Sequence, residues 1–268
     1  MELEGAVLAE GGVRVLGPLD LVVRTDERWV VLGPNGCGKT SLLKLLSFQR
    51  APHQGRVTIL GNTYGTVDIR DSRHRIGFAS GALLQVLRPV LTAREVVVTG
   101  VDAALEPWWN NYTDEQNARA EALLGFVGCG EHVDQPIGTL SEGERKRLLV
   151  ARLLMAEPEL LLLDEPCAGL DLGGREALVA LLGELARDGD RPIVMVTHHL
   201  EEIAPGFTHA LLLRDGVAVA QGPIEETITS ATVSEAFGVE VAVDTAGGRF
   251  TARVTGRVTG RVTGRVTG

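Results

Sequence analysis

The sequence has few cysteines and no long apolar run. Its 268 residues include three cysteines, Cys37, Cys129 and Cys167, which follow no pairing or metal-binding pattern. We therefore expect no disulfide framework and a reducing, cytosolic compartment. No apolar stretch approaches the roughly 18 residues that a membrane-spanning helix needs, and no secretory signal is visible at the N-terminus. With 44% hydrophobic residues, the chain is predicted to be soluble with a large buried core.

Aromatic and basic residues are also scarce. Aromatic residues make up 4% of the chain, and none precedes Trp29. Lys and Arg number 26 against 35 Asp and Glu, so the formal net charge is −9. Such acidity suits solubility and disfavours non-specific nucleic-acid binding, and we expect no nucleic-acid partner.

A glycine-rich run lies between an apolar stretch at residues 29–32 and a leucine-rich segment at 40–48. Strand, glycine-rich loop and helix in this order are typical of a phosphate-binding loop, whereas an ordinary glycine turn needs neither neighbour. The glycines let backbone amides turn toward a polyphosphate, Lys39 reaches the β and γ phosphates, and the Thr40 hydroxyl is suited to magnesium. The predicted polyphosphate-binding residues are Gly33, Pro34, Asn35, Gly36, Cys37, Gly38, Lys39, Thr40 and Ser41.

A second apolar run, at residues 159–163, leads into Asp164 and Glu165. The run is typical of a buried parallel strand, whose carboxyl end lies at the edge of the sheet where ligands bind. Asp164 is suited to holding magnesium, directly or through water, and Glu165 to polarising an attacking water. Taken alone, the same residues are also consistent with solvated charges that end a strand.

Between these motifs lies Leu140-Ser141-Glu142-Gly143-Glu144, in which Ser141 and Glu144 have the spacing of a capping box. A helix is expected from Ser141 to about residue 156, and its N-terminal end would attract an anion. A plain amphipathic helix with a good cap is the alternative.

The order of these elements resembles that of the ATP-binding-cassette ATPases. Over residues 3–222, the phosphate loop, the segment at 140–144, the carboxylate strand, the loop at 167–171 and residues 196–198 follow one another as in that family. The resemblance implies an α/β fold of P-loop NTPase type, with a mostly parallel sheet core, an antiparallel β part and a helical subdomain. It also implies that ATP, as substrate, is bound with Mg²⁺ between two cassettes and hydrolysed.

The resemblance assigns catalytic roles to Glu165 and His198. His198 corresponds to the switch histidine, which contacts the γ-phosphate and holds the attacking water, although a histidine after a strand is also typical of a polar terminus. His199 has no such role and is expected at the surface. Thr40 and Asp164 are the predicted magnesium ligands.

The resemblance further implies a set of residues that reach the nucleotide of the opposite protomer. Asp171 belongs to the loop that follows the catalytic carboxylate, called the D-loop in the family. The family's signature residues, expected to act in trans, are Ser141, Glu142, Gly143 and Glu144.

The chain departs from the family pattern at three places. Glu142 replaces a glycine of the signature, a change expected to weaken closure. The glutamine expected just after the strand at residues 75–78 is replaced by Ser80 and Gly81, and Gln85 is the nearest candidate for contacting magnesium and sensing a partner. The aromatic residue that stacks on adenine ahead of the phosphate loop is missing, so poor base selectivity is expected.

We expect residues 1–240 to form the ATPase domain, with residues 84–156 as a helical insert that begins with capping boxes at Thr92 and Thr113. Residues 241–268 form an extension whose Arg-Val-Thr-Gly unit repeats four times from Arg253. Glycine at every fourth position opposes a helix, so we expect disorder there; a weakly basic arm is the alternative.

Two smaller expectations concern side chains. Trp108, Trp109 and Tyr112 either contribute to a contact with a membrane subunit or pack inside the helical insert. Cys37 lies among amides that favour an anion, so a lowered pKa and ready alkylation, blocked by Mg-ATP, are expected. The alternative is an inert thiol in the packed base of the loop.

The sequence thus predicts the ATPase subunit of a transporter, which works as a homodimer or heterodimer, peripheral on the inner face of the cell membrane, and energises a separate permease. One alternative is a soluble ATPase of a cytosolic assembly machine, such as iron–sulfur cluster assembly. The other is a regulatory nucleotide-binding module with low turnover, suggested by Glu142 and the absent glutamine.

Overall fold

The computed structural model describes residues 1–66, 72, 74–107, 111–188 and 191–256. The strands in chain order are β1 (Glu2–Glu10), β2 (Val13–Val22), β3 (Arg28–Leu32), β4 (Gln54–Ile59), β5 (Asn62–Thr63), β6 (Ile76–Ser80), β7 (Leu160–Asp164), β8 (Ile193–Thr197), β9 (His209–Arg214), β10 (Val217–Pro223), β11 (Val241–Ala246) and β12 (Arg249–Val254). The helices are α1 (Lys39–Leu46), α2 (Ala82–Val86), α3 (Ala93–Val98), α4 (Asp114–Phe126), α5 (Glu142–Met155), α6 (Leu172–Asp188), α7 (Ile224–Thr227) and α8 (Ser230–Phe237).

A six-stranded sheet in the order β10-β9-β3-β8-β7-β6 forms the centre of the molecule. Its strands are parallel except β10, which pairs with β9 as an antiparallel hairpin whose turn is at Asp215-Gly216. A second, antiparallel sheet has the order β2-β1-β4-β5. The mostly parallel core and the antiparallel part confirm the predicted fold class.

Side chains along β3 point alternately to the two faces of the central sheet, so the hydrophobic core is divided between these faces. Val30 and Leu32 point to a cluster shared with the helices α3 to α6, and Trp29 and Val31 point to a cluster shared with α1 and the antiparallel sheet. Because both faces are covered, the five residues of β3 are all buried, as a central parallel strand requires. This burial fixes the carboxyl ends of the strands in one rigid edge.

The helices α3, α4 and α5 pack on one another within the predicted helical insert. Each begins with the predicted capping box, in which the side chains of Thr92, Thr113 and Ser141 accept a hydrogen bond from the backbone three residues on. Tyr112 packs against the core and its hydroxyl donates to Asp102, which favours the packing alternative for this residue. Trp108 and Trp109 lie outside the described residues.

The expectation of disorder beyond residue 240 is wrong for residues 241–254, which form the β11–β12 hairpin. Val241 and Phe250 are buried in the main core, so the hairpin has an apolar face to stabilise it, which four-residue repeats alone lack. Arg249 adds a bidentate ion pair with Glu176 of α6 and donates to the carbonyl oxygen of Glu201 at 2.6 Å. Residues 257–268, which hold the other repeats, lie outside the described part.

Candidate functional site

The phosphate loop joins the carboxyl end of β3 to the first residue of α1. Gly38 has φ +103, and a Cβ there would lie 2.7 Å from the carbonyl oxygen of Val15, so this position requires glycine. The β9–β10 turn holds the loop from the other side, because the Gly216 amide donates to the Cys37 carbonyl at 3.1 Å. The loop is therefore held between two sheets, with its amides at the N-terminus of α1.

Lys39 lies across this loop. Its ammonium donates to the carbonyl oxygens of Gly33 at 2.8 Å and Pro34 at 3.1 Å, and it lies 3.8 Å from Oε1 of Glu165. The side chain is buried, so its charge acts in a partly dehydrated setting where it attracts a polyphosphate more strongly than in water. Lys39 thus connects the loop with the carboxylates at the end of β7.

Asp164, at the end of β7, accepts a hydrogen bond from the Thr40 hydroxyl at 3.3 Å. Burial raises the pKa of Asp164 above its usual value, the Thr40 hydrogen bond opposes this shift, and the charge of Glu165 adds to it. A hydroxyl and a carboxylate side by side are oxygen donors of the kind that Mg²⁺ takes. Within the described residues, no group of three or more His, Cys, Asp or Glu side chains is arranged to hold a metal ion by itself. This small donor set fits Mg²⁺, which keeps several waters and takes phosphate oxygens as ligands.

Glu165 has φ +44, an uncommon left-handed conformation for a residue with a side chain. Two hydrogen bonds hold it there, from its amide to the Val196 carbonyl and to its carbonyl from the Ala168 amide. Such strain is found where the surrounding structure enforces it, often at functional sites. The turn takes the carboxylate out of the strand direction and brings its Oε1 within 3.2 Å of His198 Nδ1.

The segment after β8 places His198. Thr197, the last residue of β8, donates a short hydrogen bond to the buried Glu202, and its hydroxyl also accepts from the His199 amide at 3.1 Å. His199 is exposed, as predicted, and its ring centroid lies 4.0 Å from that of His198. The catalytic pair predicted from the sequence is thus brought together by two parallel strands.

Lys39, Thr40, Asp164 and Glu165 line a pocket of about 550 Å³, and His198 reaches it only through its hydrogen bond with Glu165. No aromatic side chain is among the described residues that line it, and Glu10 and Val15 are the wall residues that precede the loop. Trp29 lies instead near the amino end of β3, stacked on His209, and is remote from the phosphate loop.

The signature residues do not line this pocket either. Ser141 caps α5, and its backbone amide donates to Glu144, whose pKa is lowered first by that hydrogen bond. Ser141 is exposed and Gly143 is half-buried. The capped end of α5 is therefore not part of the wall around the chain's own phosphate loop.

Glu142 is exposed, and its carboxylate lies against the loop at residues 167–171, which ends at Asp171. A Cβ at Gly169 would come within 2.9 Å of Glu142 Oε1. Asp171 itself accepts from the Gly174 amide at 2.7 Å and so supports the start of α6. The first position of the signature helix and the D-loop are thus in contact within one chain.

The structure does not bring Gln85 to the phosphate pocket. The strand β6 runs two residues further than predicted, to Ser80, and Gln85 lies on α2 in a neighbouring cavity of about 350 Å³. The pocket wall at this place is made by Ser80 and Gly81 together with Lys146 of α5. Sequence reasoning missed Lys146; its only signal is a basic residue on the buried side of the signature helix.

The expectation of a reactive Cys37 is contradicted. Cys37 is 3% exposed, and burial raises the pKa of its thiol despite the charge of Lys39. Its sulfur packs under the loop, where a Cβ at Gly33 would approach Sγ to 2.6 Å. Desolvation outweighs the neighbouring amides, so the inert alternative describes this thiol. Cys129 and Cys167 are also buried and free.

Three comparisons with known proteins agree on the family. The family model "ABC transporter" matches residues 16–168. The ABC transporter ATP-binding protein YlmA of Bacillus subtilis (strain 168) is 38% identical over 91% of this chain and 92% of its own length. The cobalt import ATP-binding protein CbiO of Rhodobacter capsulatus is 36% identical over 79% of this chain and 74% of its own length.

Among solved structures, a dimeric ATP-binding cassette in a post-hydrolysis state, bound to ADP and phosphate, is similar in fold. It has a TM-score of 0.71 and 24% identity, and the match covers 83% of this chain and 98% of that one. The family model includes the phosphate loop, Asp164 and Glu165, and the relative from B. subtilis aligns over nine-tenths of each chain. The chain therefore belongs to the ABC transporter family, as an ATP-binding subunit that hydrolyses ATP.

Proposed function

We propose that this chain is the ATPase subunit of an ABC importer and that it works as a dimer on a separate membrane permease. The observation that carries the proposal is the convergence of Lys39, Thr40, Asp164 and Glu165 on one pocket beside the phosphate loop, with His198 hydrogen-bonded to Glu165. Import is supported by the relatives named for it, such as the cobalt import protein. The cargo is left open.

In this proposal the loop amides and Lys39 bind the β and γ phosphates, and Thr40 and Asp164 hold Mg²⁺. When bound there, the ion would neutralise part of the negative charge of the phosphates. Glu165 accepts the proton of the attacking water, because its carboxylate is held out of the strand direction and next to His198. With its proton on Nδ1, His198 donates to Glu165 and keeps Nε2 as the ring's acceptor toward that water.

A dimer completes the site. The capped end of α5 lies outside the wall of the chain's own pocket, and its cap residue Ser141 is exposed to a second protomer. Helix N-termini bind anions through their unpaired amides, so this end is suited to the γ-phosphate held by the opposite protomer. Asp171 and Glu142 lie beside it and would belong to the same contact. The related cassette that is dimeric with ADP and phosphate supports this arrangement.

The permease is proposed to dock in a groove of about 930 Å³ between the central sheet and the helical insert. Within the described residues, no helix has the length and hydrophobicity to cross a bilayer. The groove offers apolar side chains suited to an amphipathic helix of a partner. They are Phe78, Ala82, Leu83, Val86, Leu149 and Leu153. A protein docked there would lie on the inner face of the cell membrane.

The ABC transporter relatives favour this function over that of a cytosolic assembly ATPase.

Fractionation of cells that express the tagged chain with its cognate permease tests the proposal. The wild-type chain is expected in the membrane fraction. Val86→Arg places a charge on a 59%-exposed groove residue and should move the chain to the soluble fraction. Val254→Arg, on a 54%-exposed valine of the C-terminal hairpin, is the matched control and should leave the chain on the membrane. Wild-type protein found with a soluble assembly complex, or equal behaviour of the two variants, would contradict the proposal.

A further inference from the structure

Lys146 is a largely covered lysine whose ammonium has no counterion among the described residues. It lies on the signature helix α5, is 7% exposed, and makes no hydrogen bond or ion pair with any residue that the structure describes. The aliphatic stem is covered, while the ammonium reaches the solvent of the pocket. An unpaired ammonium that opens into a pocket is available to an anionic ligand.

The Lys146 ammonium lies where a side chain of residue 81 would be. A Cβ on Gly81 would come within 2.7 Å of its Nζ. Gly81 has φ −57, a conformation open to every residue, so its backbone does not require glycine and a Cβ there would displace the Lys146 ammonium. Gly81 directly follows β6 at the carboxyl edge of the sheet.

Lys146 and Gly81 also line the phosphate pocket, together with Lys39, Thr40 and Asp164. Lys39 enters this pocket from the phosphate loop, and Lys146 enters it from the helical insert. An ammonium is a compact charge well suited to phosphate oxygens. The only other strong charges on this wall are carboxylates, which would repel a phosphate.

We propose that Lys146 binds the γ-phosphate of the ATP held by its own chain, at the place where Gly81 has no side chain. This inference rests on the nucleotide site proposed above. It assigns a second phosphate-binding lysine to the pocket and gives a function to the combination of Gly81 and a buried lysine. Gln85, in the neighbouring cavity, is then not required for this contact.

The position of Lys146 on α5 has a consequence for the dimer. Ser141, at the start of the same helix, is five residues away, about 7.5 Å along the axis. One end of α5 would face the nucleotide of the opposite protomer, and Lys146 would contact the nucleotide of its own chain. ATP in one site therefore orients the helix that completes the other site, whereas ADP, which lacks the γ-phosphate, does not.

Titration calorimetry of the full-length protein, at concentrations where it is monomeric, tests the inference with ATP and ADP. Lys146→Met keeps the length of the side chain and removes its charge. ATP affinity should fall about tenfold or more, the loss expected for one charged hydrogen bond, while ADP affinity stays unchanged. The loss should persist in EDTA, because the contact is to phosphate and not to the metal. Arg145→Met, the neighbouring basic residue outside the pocket, is the matched control and should change neither affinity.

Unchanged ATP affinity in Lys146→Met, an equal loss for ATP and ADP, or a loss seen only with magnesium would overturn the inference. Wild-type protein that binds neither nucleotide would instead remove the proposed site itself. If Lys146→Met does not fold, Gly81→Ala serves as the test variant instead. The methyl group of alanine displaces the Lys146 ammonium without removing it. Its ATP affinity should then fall while its ADP affinity is retained, and equal retention of both would overturn the inference.

Discussion

Glu165 and His198 are 33 residues apart in the chain, yet Oε1 of the carboxylate lies 3.2 Å from Nδ1 of the imidazole. Parallel pairing of β7 with β8 produces this contact, since the two residues follow the carboxyl ends of neighbouring strands. Lys39 approaches the same carboxylate oxygen to 3.8 Å. The proposed base, its histidine and the phosphate-binding lysine therefore form one cluster, and changes in it have separable effects.

The first prediction concerns Glu165→Gln. The amide keeps the size of the side chain but cannot accept the proton of the water, so ATP turnover should fall by ~10²-fold or more. ATP affinity should be retained, because Lys39, Thr40 and the loop amides are untouched, and an ATP-bound dimer should accumulate. Phosphate release and size-exclusion chromatography with ATP measure the two effects. Near-normal turnover would remove Glu165 from the role of base.

The second prediction follows from the absence of an aromatic residue in the pocket wall. Base–aromatic stacking is worth about 1–3 kcal/mol, so most of the affinity should come from the triphosphate and magnesium. ATP and GTP should bind within about tenfold of each other. Calorimetry with both nucleotides measures this ratio. A preference for ATP above a hundredfold would show that another group recognises adenine.

The third prediction is that Asp164→Asn stabilises the protein without nucleotide. Burial raises the pKa of Asp164, so its charged form is disfavoured by folding and lowers stability at neutral pH. The amide removes this cost, and the melting temperature should rise by about 2–4 °C, the shift that ~1 kcal/mol produces in a chain of this size.

The pH dependence checks the sign of that effect. The folded wild type regains stability as the pH falls through the raised pKa, because the carboxyl group is then neutral. The advantage of Asp164→Asn should therefore be complete at neutral pH and disappear in acid. The variant should also lose the extra stabilisation that magnesium adds to ATP. An advantage that is independent of pH would mean that the Asp164 charge is not its cause.

The fourth prediction is that Cys37 resists alkylation in the folded protein. Its thiol is buried under the phosphate loop with a raised pKa, so little thiolate is present or accessible. Mass-spectrometric mapping after brief maleimide treatment should show little labelling with or without Mg-ATP. Full labelling after unfolding in urea is the control. Rapid labelling of Cys37 in the folded state, blocked by Mg-ATP, would restore the reactive thiol expected from the sequence.

The sequence was sufficient to predict those elements that depend on residues close together in the chain. Capping boxes at Thr92, Thr113 and Ser141 depend on residues three apart, and all three form as predicted. The turn at Asp215-Gly216 and the apolar runs that become β7 and β8 are likewise short-range signals. Motif order then led from these elements to the family, which the comparisons confirm.

Three outcomes depended on packing. The thiol of Cys37 is inert because its burial outweighs the local amides, and burial is decided by the β9–β10 turn and by β2, far away in sequence. Residues 241–254 are ordered because Phe250 reaches the main core, which no repeat pattern reveals.

The position of the Lys146 ammonium is the third outcome that depended on packing. On the sequence it is one basic residue among several on α5, and only the approach of this helix to Gly81, 65 positions earlier, brings its ammonium to the phosphate pocket. The chain's own sequence thus determined its family, its phosphate loop and its helix starts, since these are set by neighbouring residues. The tertiary structure alone decided which charges meet in the pocket and which side chains lose contact with water, because both depend on residues that are distant along the chain.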